Sequence, residues 1–260
     1  MAFADGSSIL LCGGLTATGT TGDILTIDPT GGAPIVSGRL RHAVHDAGGA
    51  TLGDVRIVLG GGKTLQEAFV QSVVVGGTGN EVGSLPAPRA DLGAAVIGDQ
   101  LIVVGGWGSG QIDPSVLATK DGMHFTVLAT LPHPVRYAAV AATSGLVLVI
   151  GGEGPGDVRW IQAVDVAAGT ARVVGKLPAP LSHATALVLG RWVLVAGGRA
   201  GGRAQKSILV IDPATWDVST VGQLPKALSD AAGVVVNGTG YLVGGEAAAP
   251  LTSIIAIKPD

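Results

Sequence analysis

Three long charged side chains stand at equivalent places in this sequence. Glu153, Arg199 and Glu246 each follow directly after a pair of glycines. A carboxylate beside a guanidinium can move a proton to and from a substrate oxygen, because such a transfer needs one well-placed acid–base group. The same groups can bind a polar ligand through charge-assisted hydrogen bonds. If the protein is an enzyme, these three residues are its catalytic candidates; otherwise they are candidates for ligand binding.

A second set of polar and aromatic residues recurs six positions after a repeated leucine. It consists of Asp46, Asp91, Tyr137, His183 and Asp230, with Arg89 and Arg136 beside it. Trp107 directly follows another glycine pair, and Lys63 lies one residue beyond that position in its own copy. If all these side chains converge, they form a shallow funnel with both charge signs and two aromatic rings. Such a funnel suits a sugar or an extended peptide.

Purely structural roles are open for the same residues. Asp46, Asp91 and Asp230 fit turn positions where a carboxylate accepts hydrogen bonds from nearby backbone amides. Trp107 can cover its own loop, and His183 can lie on a solvated rim. Arg199 can pair with Glu153 or Glu246 across neighbouring units, and exposed pairs of that kind contribute only about 0–1 kcal/mol to stability.

Other kinds of chemistry find little support in the sequence. The loop 105–110 (GGWGSG) follows a strand, but a phosphate-binding loop also needs a helix after it, and none is indicated. Ser182 beside His183 lacks a nucleophile-elbow motif. A metal site from His183, Asp91 and Asp230 has only weak spacing support, so we predict no metal and no cofactor. The single cysteine, Cys12, excludes an intramolecular disulfide and is expected to be buried in a strand.

The elements that must position these residues come from an internal repeat. Each copy has a glycine doublet after a short apolar run, at intervals of 47, 45, 46, 46 and 47 residues. The doublets are Gly13-Gly14, Gly60-Gly61, Gly105-Gly106, Gly151-Gly152, Gly197-Gly198 and Gly244-Gly245. Twenty residues before five of the doublets stands a leucine, at positions 40, 85, 131, 177 and 224, and proline follows four of these. Four short apolar runs per unit of this length are typical of a β-propeller blade.

The repeat resembles the kelch family over essentially the whole chain. In that family an inner strand and a turn precede an apolar strand that ends in a glycine doublet, and two outer strands follow. The resemblance implies an all-β propeller of six four-stranded blades; five blades plus a partial copy is the alternative. The chain departs from the family in its aromatic residues, since only Trp216, and more loosely Phe125, occupy the usual aromatic positions.

The register predicts one domain over residues 1–260. Its blades span roughly residues 1–39, 40–84, 85–130, 131–176, 177–223 and 224–260. The first copy begins late in its inner strand and the sixth stops after its third strand. We therefore expect incomplete terminal blades and a chain that belongs to a longer polypeptide, with ring closure that is unconventional or completed elsewhere.

The composition argues against two kinds of partner, membranes and nucleic acids. Charged residues make up 13% and hydrophobic residues 47%, yet no run approaches the roughly 20 apolar residues of a membrane helix. The formal net charge of −3 and the lack of basic clusters beyond residues 39–42 give no footprint for nucleic acid. We therefore expect neither nucleic-acid binding nor membrane insertion within this chain. Its compartment is open, with a lean towards a secreted or cell-surface protein.

Three functions remain after these observations. The first is a non-catalytic propeller that binds a protein segment or a glycan on the face that carries the loops after the doublets. The second, implied by kelch propellers that transfer protons with a carboxylate and an arginine, is a sugar epimerase or mutarotase that uses Glu153, Arg199 and Glu246. The third is a structural or sensor domain of a larger surface protein.

Overall fold

The computed structural model describes residues 1–156 and 158–258, and it is built from strands and turns alone. Blades 1 to 3 contain β1 (Ala2–Asp5), β2 (Ser8–Thr16), β3 (Gly19–Ile27), β4 (Ile35–Arg39), β5 (Gly48–Leu52), β6 (Val55–Leu59), β7 (Phe69–Ser72), β8 (Glu81–Ser84), β9 (Gly93–Ile97), β10 (Gln100–Val104), β11 (Trp107–Gly108), β12 (Gln111–Ile112), β13 (Ser115–Thr119) and β14 (Thr126–Thr130). Blades 4 to 6 contain β15 (Ala139–Thr143), β16 (Leu146–Ile150), β17 (Trp160–Asp165), β18 (Thr170–Lys176), β19 (Thr185–Leu189), β20 (Trp192–Ala196), β21 (Arg199–Ala200), β22 (Arg203–Ile211), β23 (Val218–Leu228), β24 (Ala232–Val236), β25 (Thr239–Val243) and β26 (Ile254–Ile257).

Each blade is a small antiparallel sheet whose strands pair in chain order. Blades 1, 2 and 4 have four strands, and blade 3 adds the hairpin β11–β12 to its four. In blade 5 the short β21 pairs with β22, while blade 6 has β24, β25 and β26 in the part of the chain described. The prediction of a six-bladed, all-β propeller is confirmed, and the five-blade alternative is wrong.

The core is divided among the six seams between neighbouring blades. Each seam holds one cluster of buried apolar side chains; Ile161 and Val195, for example, meet between blades 4 and 5. The inner strands touch in sequence around the centre, and β24 contacts β1 to close the ring. Ile9 and Val234 pack across that last seam. The ring is thus closed by packing of blade 6 against blade 1, and in the described residues no sheet combines strands from both ends of the chain.

The glycine doublet follows the second strand in blades 2 to 6 and lies within β2 in blade 1; in blades 2 to 5 both glycines lie against a neighbouring backbone. Both glycines of the pair at 151 and 152 have positive φ, at 62° and 107°. A Cβ atom on Gly151 would lie 2.1 Å from the carbonyl oxygen of Leu181 in the next blade. One on Gly152 would lie 2.8 Å from the carbonyl oxygen of Arg136 in its own blade. The doublet therefore permits tight blade-to-blade packing, which is a structural role.

The two aromatic residues at the family's aromatic positions and the single cysteine also have packing roles. Trp216 packs against the cluster between blades 4 and 5, and Phe125 against the one between blades 2 and 3. Cys12 lies fully buried in β2, as predicted, and burial raises the pKa of its thiol to about 11.

Candidate functional site

Two kinds of loop meet beside the central channel and bring the candidate residues together. The first is the Leu-Pro loop, the segment from each repeated leucine to the inner strand; the second directly follows each doublet. In blade 4 they are joined by two backbone hydrogen bonds, from Arg136 N to Glu153 O at 2.9 Å and from Glu153 N to Arg136 O at 2.7 Å. The same paired bonds join His45 with Gly62, Ala90 with Trp107, Ser182 with Arg199, and Ser229 with Glu246.

The residues six positions after the leucines form a backbone belt around the channel. Each has a left-handed conformation, with φ between 51° and 61°, and the four after Asp46 each donate a backbone hydrogen bond to the counterpart in the preceding blade. The belt runs from Asp91 N to Asp46 O, Tyr137 N to Asp91 O, His183 N to Tyr137 O, and Asp230 N to His183 O, at 2.8–3.0 Å. Aspartate and histidine tolerate this conformation, but it is unusual for a residue as bulky as tyrosine.

The side chains above the belt form one continuous chain of ion pairs, the funnel network, across blades 3 to 6. Its members alternate in charge in the order Asp91, Arg136, Glu153, His183, Asp230, Arg199 and Glu246. The Arg136 guanidinium lies 3.2 Å from Asp91 Oδ2 and 3.0 Å from Glu153 Oε2. Arg199 Nη2 lies 3.2 Å from Asp230 Oδ2 and also contacts Glu246. Each guanidinium of the network thus bridges two carboxylates, those of blades 3 and 4 for Arg136 and two of blade 6 for Arg199.

His183 is the centre of the network. Its Nδ1 lies 2.6 Å from Asp230 Oδ1, and its Nε2 lies 3.1 Å from Glu153 Oε1. Burial alone would lower the pKa of this imidazole, but the hydrogen bonds and charges of Asp230 and Glu153 outweigh burial and raise it. The pKa of the Asp230 carboxyl is lowered: burial opposes this, and the hydrogen bond and charge of His183 overcome it. His183 therefore favours the protonated imidazolium form, which lies between the carboxylates of Asp230 and Glu153.

We expect His183 to make stability depend on pH in a specific direction. A histidine whose pKa is raised in the folded state stabilises it below the unfolded pKa, near 6.5, and this contribution is lost as pH rises through the folded value. The difference in unfolding free energy between wild type and His183→Gln should therefore be largest on the acid side of pH 6.5 and shrink as the pH rises into the alkaline range. Urea titrations across that range measure it, with the exposed His124→Gln as control. A difference that stays constant with pH would contradict the assignment.

The mouth of the funnel carries an excess of negative charge. Burial, followed by the charge of Asp91, raises the pKa of the Asp46 carboxyl, and burial raises that of Asp91 against the pull of Tyr137 and Arg136. His45 Nε2 lies 3.7 Å from Asp46 Oδ2 and supplies only a distant partner. With Asp46 included, five carboxylates face two guanidiniums and one imidazolium, a net charge of −2.

Aromatic rings line the side of the funnel at blades 3 to 5. Tyr137 stacks on the His183 ring, with centroids 3.8 Å apart and planes 23° from parallel. The Arg136 guanidinium lies 5.4 Å from the centroid of Trp107 and 5.1 Å from that of Tyr137. The Tyr137 hydroxyl donates a hydrogen bond to Asp91, and burial is the main reason that its pKa is raised. The arginine therefore contacts two carboxylates and lies within cation–π distance of two rings.

Two of the candidate residues lie apart from the network. Arg89 is buried with only 3% of its side chain exposed, and its Nη2 lies 2.6 Å from Asp113 Oδ2. Its register explains this, because it stands two residues before the belt, where the other copies have the buried residues Val44, Val135, Leu181 and Leu228. Lys63 is exposed in its loop, and the described residues include no ion-pair partner for it.

Sequence position did not single out two residues that the structure brings to the funnel. His45 accepts or donates a hydrogen bond at 2.9 Å with Thr20, and Ser229 Oγ accepts one at 3.0 Å from Arg199 Nε. Both occupy the position before the belt residue, the same register as Arg136 and Ser182. The repeat could have identified both residues, because the position before each belt residue pairs with the residue after the doublet.

The geometry bears directly on nucleophilic and metal chemistry. Both ring nitrogens of His183 face carboxylates, and Ser182 Oγ lies 3.5 Å from Glu153 Oε1, so this serine has no histidine base. Within residues 1–156 and 158–258, no three His, Cys, Asp or Glu side chains are grouped as metal ligands would be. Over the same ranges the chain has no helix with the length and apolar character needed to span a membrane.

A pocket of about 250 Å³ lies beside the network, between blades 4 and 5. Its lining includes Glu153, Ser182 and Arg199, together with the backbone of residues 200–202. The volume is enough for one long side chain or one sugar ring. In comparison with known proteins, the chain matches no family model and no curated protein.

Proposed function

We propose that this chain is a non-catalytic, kelch-type binding propeller whose funnel network recognises a protein segment or a glycan. The observation that carries the proposal is the mutual pairing of the charged groups on a rigid belt. Each of Arg136, His183 and Arg199 already contacts two carboxylates. Such groups are poor proton carriers, but their fixed positions suit recognition by charge-assisted hydrogen bonds. The six-fold register of the glycine doublets supports the kelch-type assignment.

The charge balance favours a protein segment with lysine or arginine side chains. The funnel has a net charge of −2, and among the described residues the ion-pair partner of Asp46 is His45, at 3.7 Å. A basic side chain that enters the adjacent pocket can pair with a carboxylate there. The rings of Trp107 and Tyr137, which contact Arg136 and His183 of the funnel network, add stacking surface for the rest of the segment.

We expect a basic probe peptide to stabilise the protein through Asp46. A hexapeptide that alternates lysine and glycine should raise the Tm, because a ligand bound only to the folded state stabilises it. Asp46→Asn should reduce that rise, while Asp28→Asn, which removes an equal charge from the exposed turn before β4, should leave it unchanged. Thermal shift assays with an alternating glutamate–glycine peptide and a monosaccharide panel complete the test. A rise in Tm with sugars alone would identify the ligand as a glycan instead of a peptide. No change in Tm with any probe would overturn the proposal.

A sugar epimerase or mutarotase is the second candidate. The observation in its favour is that Glu153, Arg199 and Glu246 lie in one connected network beside the pocket. Mutarotation of the monosaccharide panel, followed by polarimetry, tests this candidate. Turnover by the wild type that is lost in both Glu153→Gln and Arg199→Ala would replace the binding module with an enzyme.

A further inference from the structure

The outer strands of the first five blades share one short sequence pattern. A small residue, glycine or alanine, stands two positions before the repeated leucine, and proline follows that leucine in four of the five copies. The segments are 37–40 (SGRL), 82–85 (VGSL), 128–131 (LATL), 174–177 (VGKL) and 221–224 (VGQL). A pattern that recurs in five copies indicates one shared way of docking.

The five segments dock in the same way. The register with the third strand shifts by one residue just before the small residue, as at Gly175, which lies opposite Ile161. The same bulge occurs at Gly38, Gly83, Ala129 and Gly222. The leucine is then buried at the seam with the next blade; Leu177, for example, lies beside Gly151, and its N–H donates to Arg159 O at 2.7 Å.

Blade 6 has a strand edge at the place where an outer strand pairs in the other blades. In the described residues β26 pairs only with β25. Gly244 N donates to Ser253 O, so the alternation of an antiparallel ladder directs the N–H and C=O groups of Ile254 and Ala256 towards the other edge. That edge is a row of main-chain donors and acceptors that can pair with an added strand.

Side-chain burial supports the same reading of the edge. Ile254 is 38% exposed, whereas the residues at its register in blades 2 and 4, Val70 and Ile161, are 0% exposed. Ser253 Oγ, at the start of β26, is buried and has no hydrogen-bond partner among the described residues. An apolar side chain and a polar atom that both lack partners lie where an outer strand packs in the other blades.

The neighbouring seam has room for the leucine end of such a segment. At the other five seams the second glycine of the doublet donates its N–H to a carbonyl of the next Leu-Pro loop, as from Gly198 to Leu228 O at 2.9 Å. No bond of this kind is found for Gly245 within residues 1–156 and 158–258. A Cβ on Gly244 would have only Leu251 O near it, at 3.6 Å.

We propose that the open edge of β26 and the seam beside it bind an extended segment with the pattern apolar residue, Gly or Ala, any residue, Leu, Pro. The main chain of the segment adds a strand to blade 6, and its leucine enters the seam next to Gly244. A second copy of this chain is a poorer occupant, because all five of its own segments are already built into blades. Pairing of two β26 edges would also bring no leucine to the seam.

The test uses the full chain and a labelled peptide with the sequence of residues 170–181, TARVVGKLPAPL. We expect saturable one-to-one binding by fluorescence anisotropy. The peptide with Leu177→Asp should bind at least about tenfold more weakly, since it loses the buried leucine. Hydrogen exchange should show new protection at the amides of Ile254 and Ala256 when the peptide is bound.

Protein variants locate the binding. Ile254→Asp should abolish it, whereas Val55→Asp, at another exposed apolar residue, in blade 2 (47%), should leave it unchanged. Equal affinity of both peptides, or of both variants, would overturn the proposal. So would a dimer of the chain alone, seen by analytical ultracentrifugation, with those amides already protected. Asp46→Asn should not change the affinity for this peptide. That result would show that the edge of β26 and the funnel are separate binding sites.

Discussion

Gly197→Ala should destabilise the propeller severely, whereas Gly244→Ala should cost only about 1–2 kcal/mol. The two glycines occupy the same place in neighbouring blades and have nearly the same φ, 66° and 68°. The strain of a left-handed alanine is therefore common to both. They differ in their surroundings: a Cβ at position 197 would lie 2.5 Å from Leu228 O, while one at position 244 would lie 3.6 Å from Leu251 O.

The difference between the two variants isolates blade-to-blade packing. Leu228 O belongs to the Leu-Pro loop of blade 6, which must move if position 197 gains a methyl group. We expect a loss above about 4 kcal/mol, in the range reserved for overpacking and broken backbone contacts. Urea unfolding of both variants and the wild type measures the free energies. Equal losses would show that the doublet is needed only for its backbone conformation.

Asp113→Asn should cost about 3–5 kcal/mol, because it leaves the buried Arg89 guanidinium without its counter-ion. The asparagine keeps an oxygen for the Ser115 N–H, so the loss reports mainly on the charge. Arg89 also donates to Ser115 Oγ and Gly105 O, at 3.2–3.3 Å, but both are neutral acceptors. Burial, opposed by Asp113, lowers the pKa of Arg89, yet arginine remains charged when buried.

A second substitution at Arg89 should recover the stability lost with Asp113. The other copies have valine or leucine at the register of Arg89, so Arg89→Leu restores the apolar residue of the repeat. The double variant should therefore unfold at higher urea than Asp113→Asn alone. Asp99→Asn, which breaks the exposed pair with Lys120, is the matched control and should not shift the urea midpoint. A double variant less stable than the single one would assign Arg89 a role other than its pair.

Much of the fold was readable because each blade repeats one set of physical requirements. The doublets at intervals of 45–47 residues, the apolar runs before them and the leucine twenty residues earlier predicted six blades, and the structure has six. The face that carries the candidate residues also followed from strand order. The closing seam did not follow, since packing between β1 and β24 involves residues with no shared motif.

The candidate site was predictable by position but not by partner. The sequence alone determined that most candidates occupy two fixed registers of a repeat, the residue after each doublet and the residue six after each leucine. Only the tertiary structure decided that Arg136, His183 and Arg199 each join two carboxylates, and that Arg89, one register away from Arg136, is buried against Asp113. The physical reason is that a repeat fixes the backbone of every blade, while the ion-pair partner of a side chain, in its own blade or a neighbouring one, depends on residue types that differ from copy to copy.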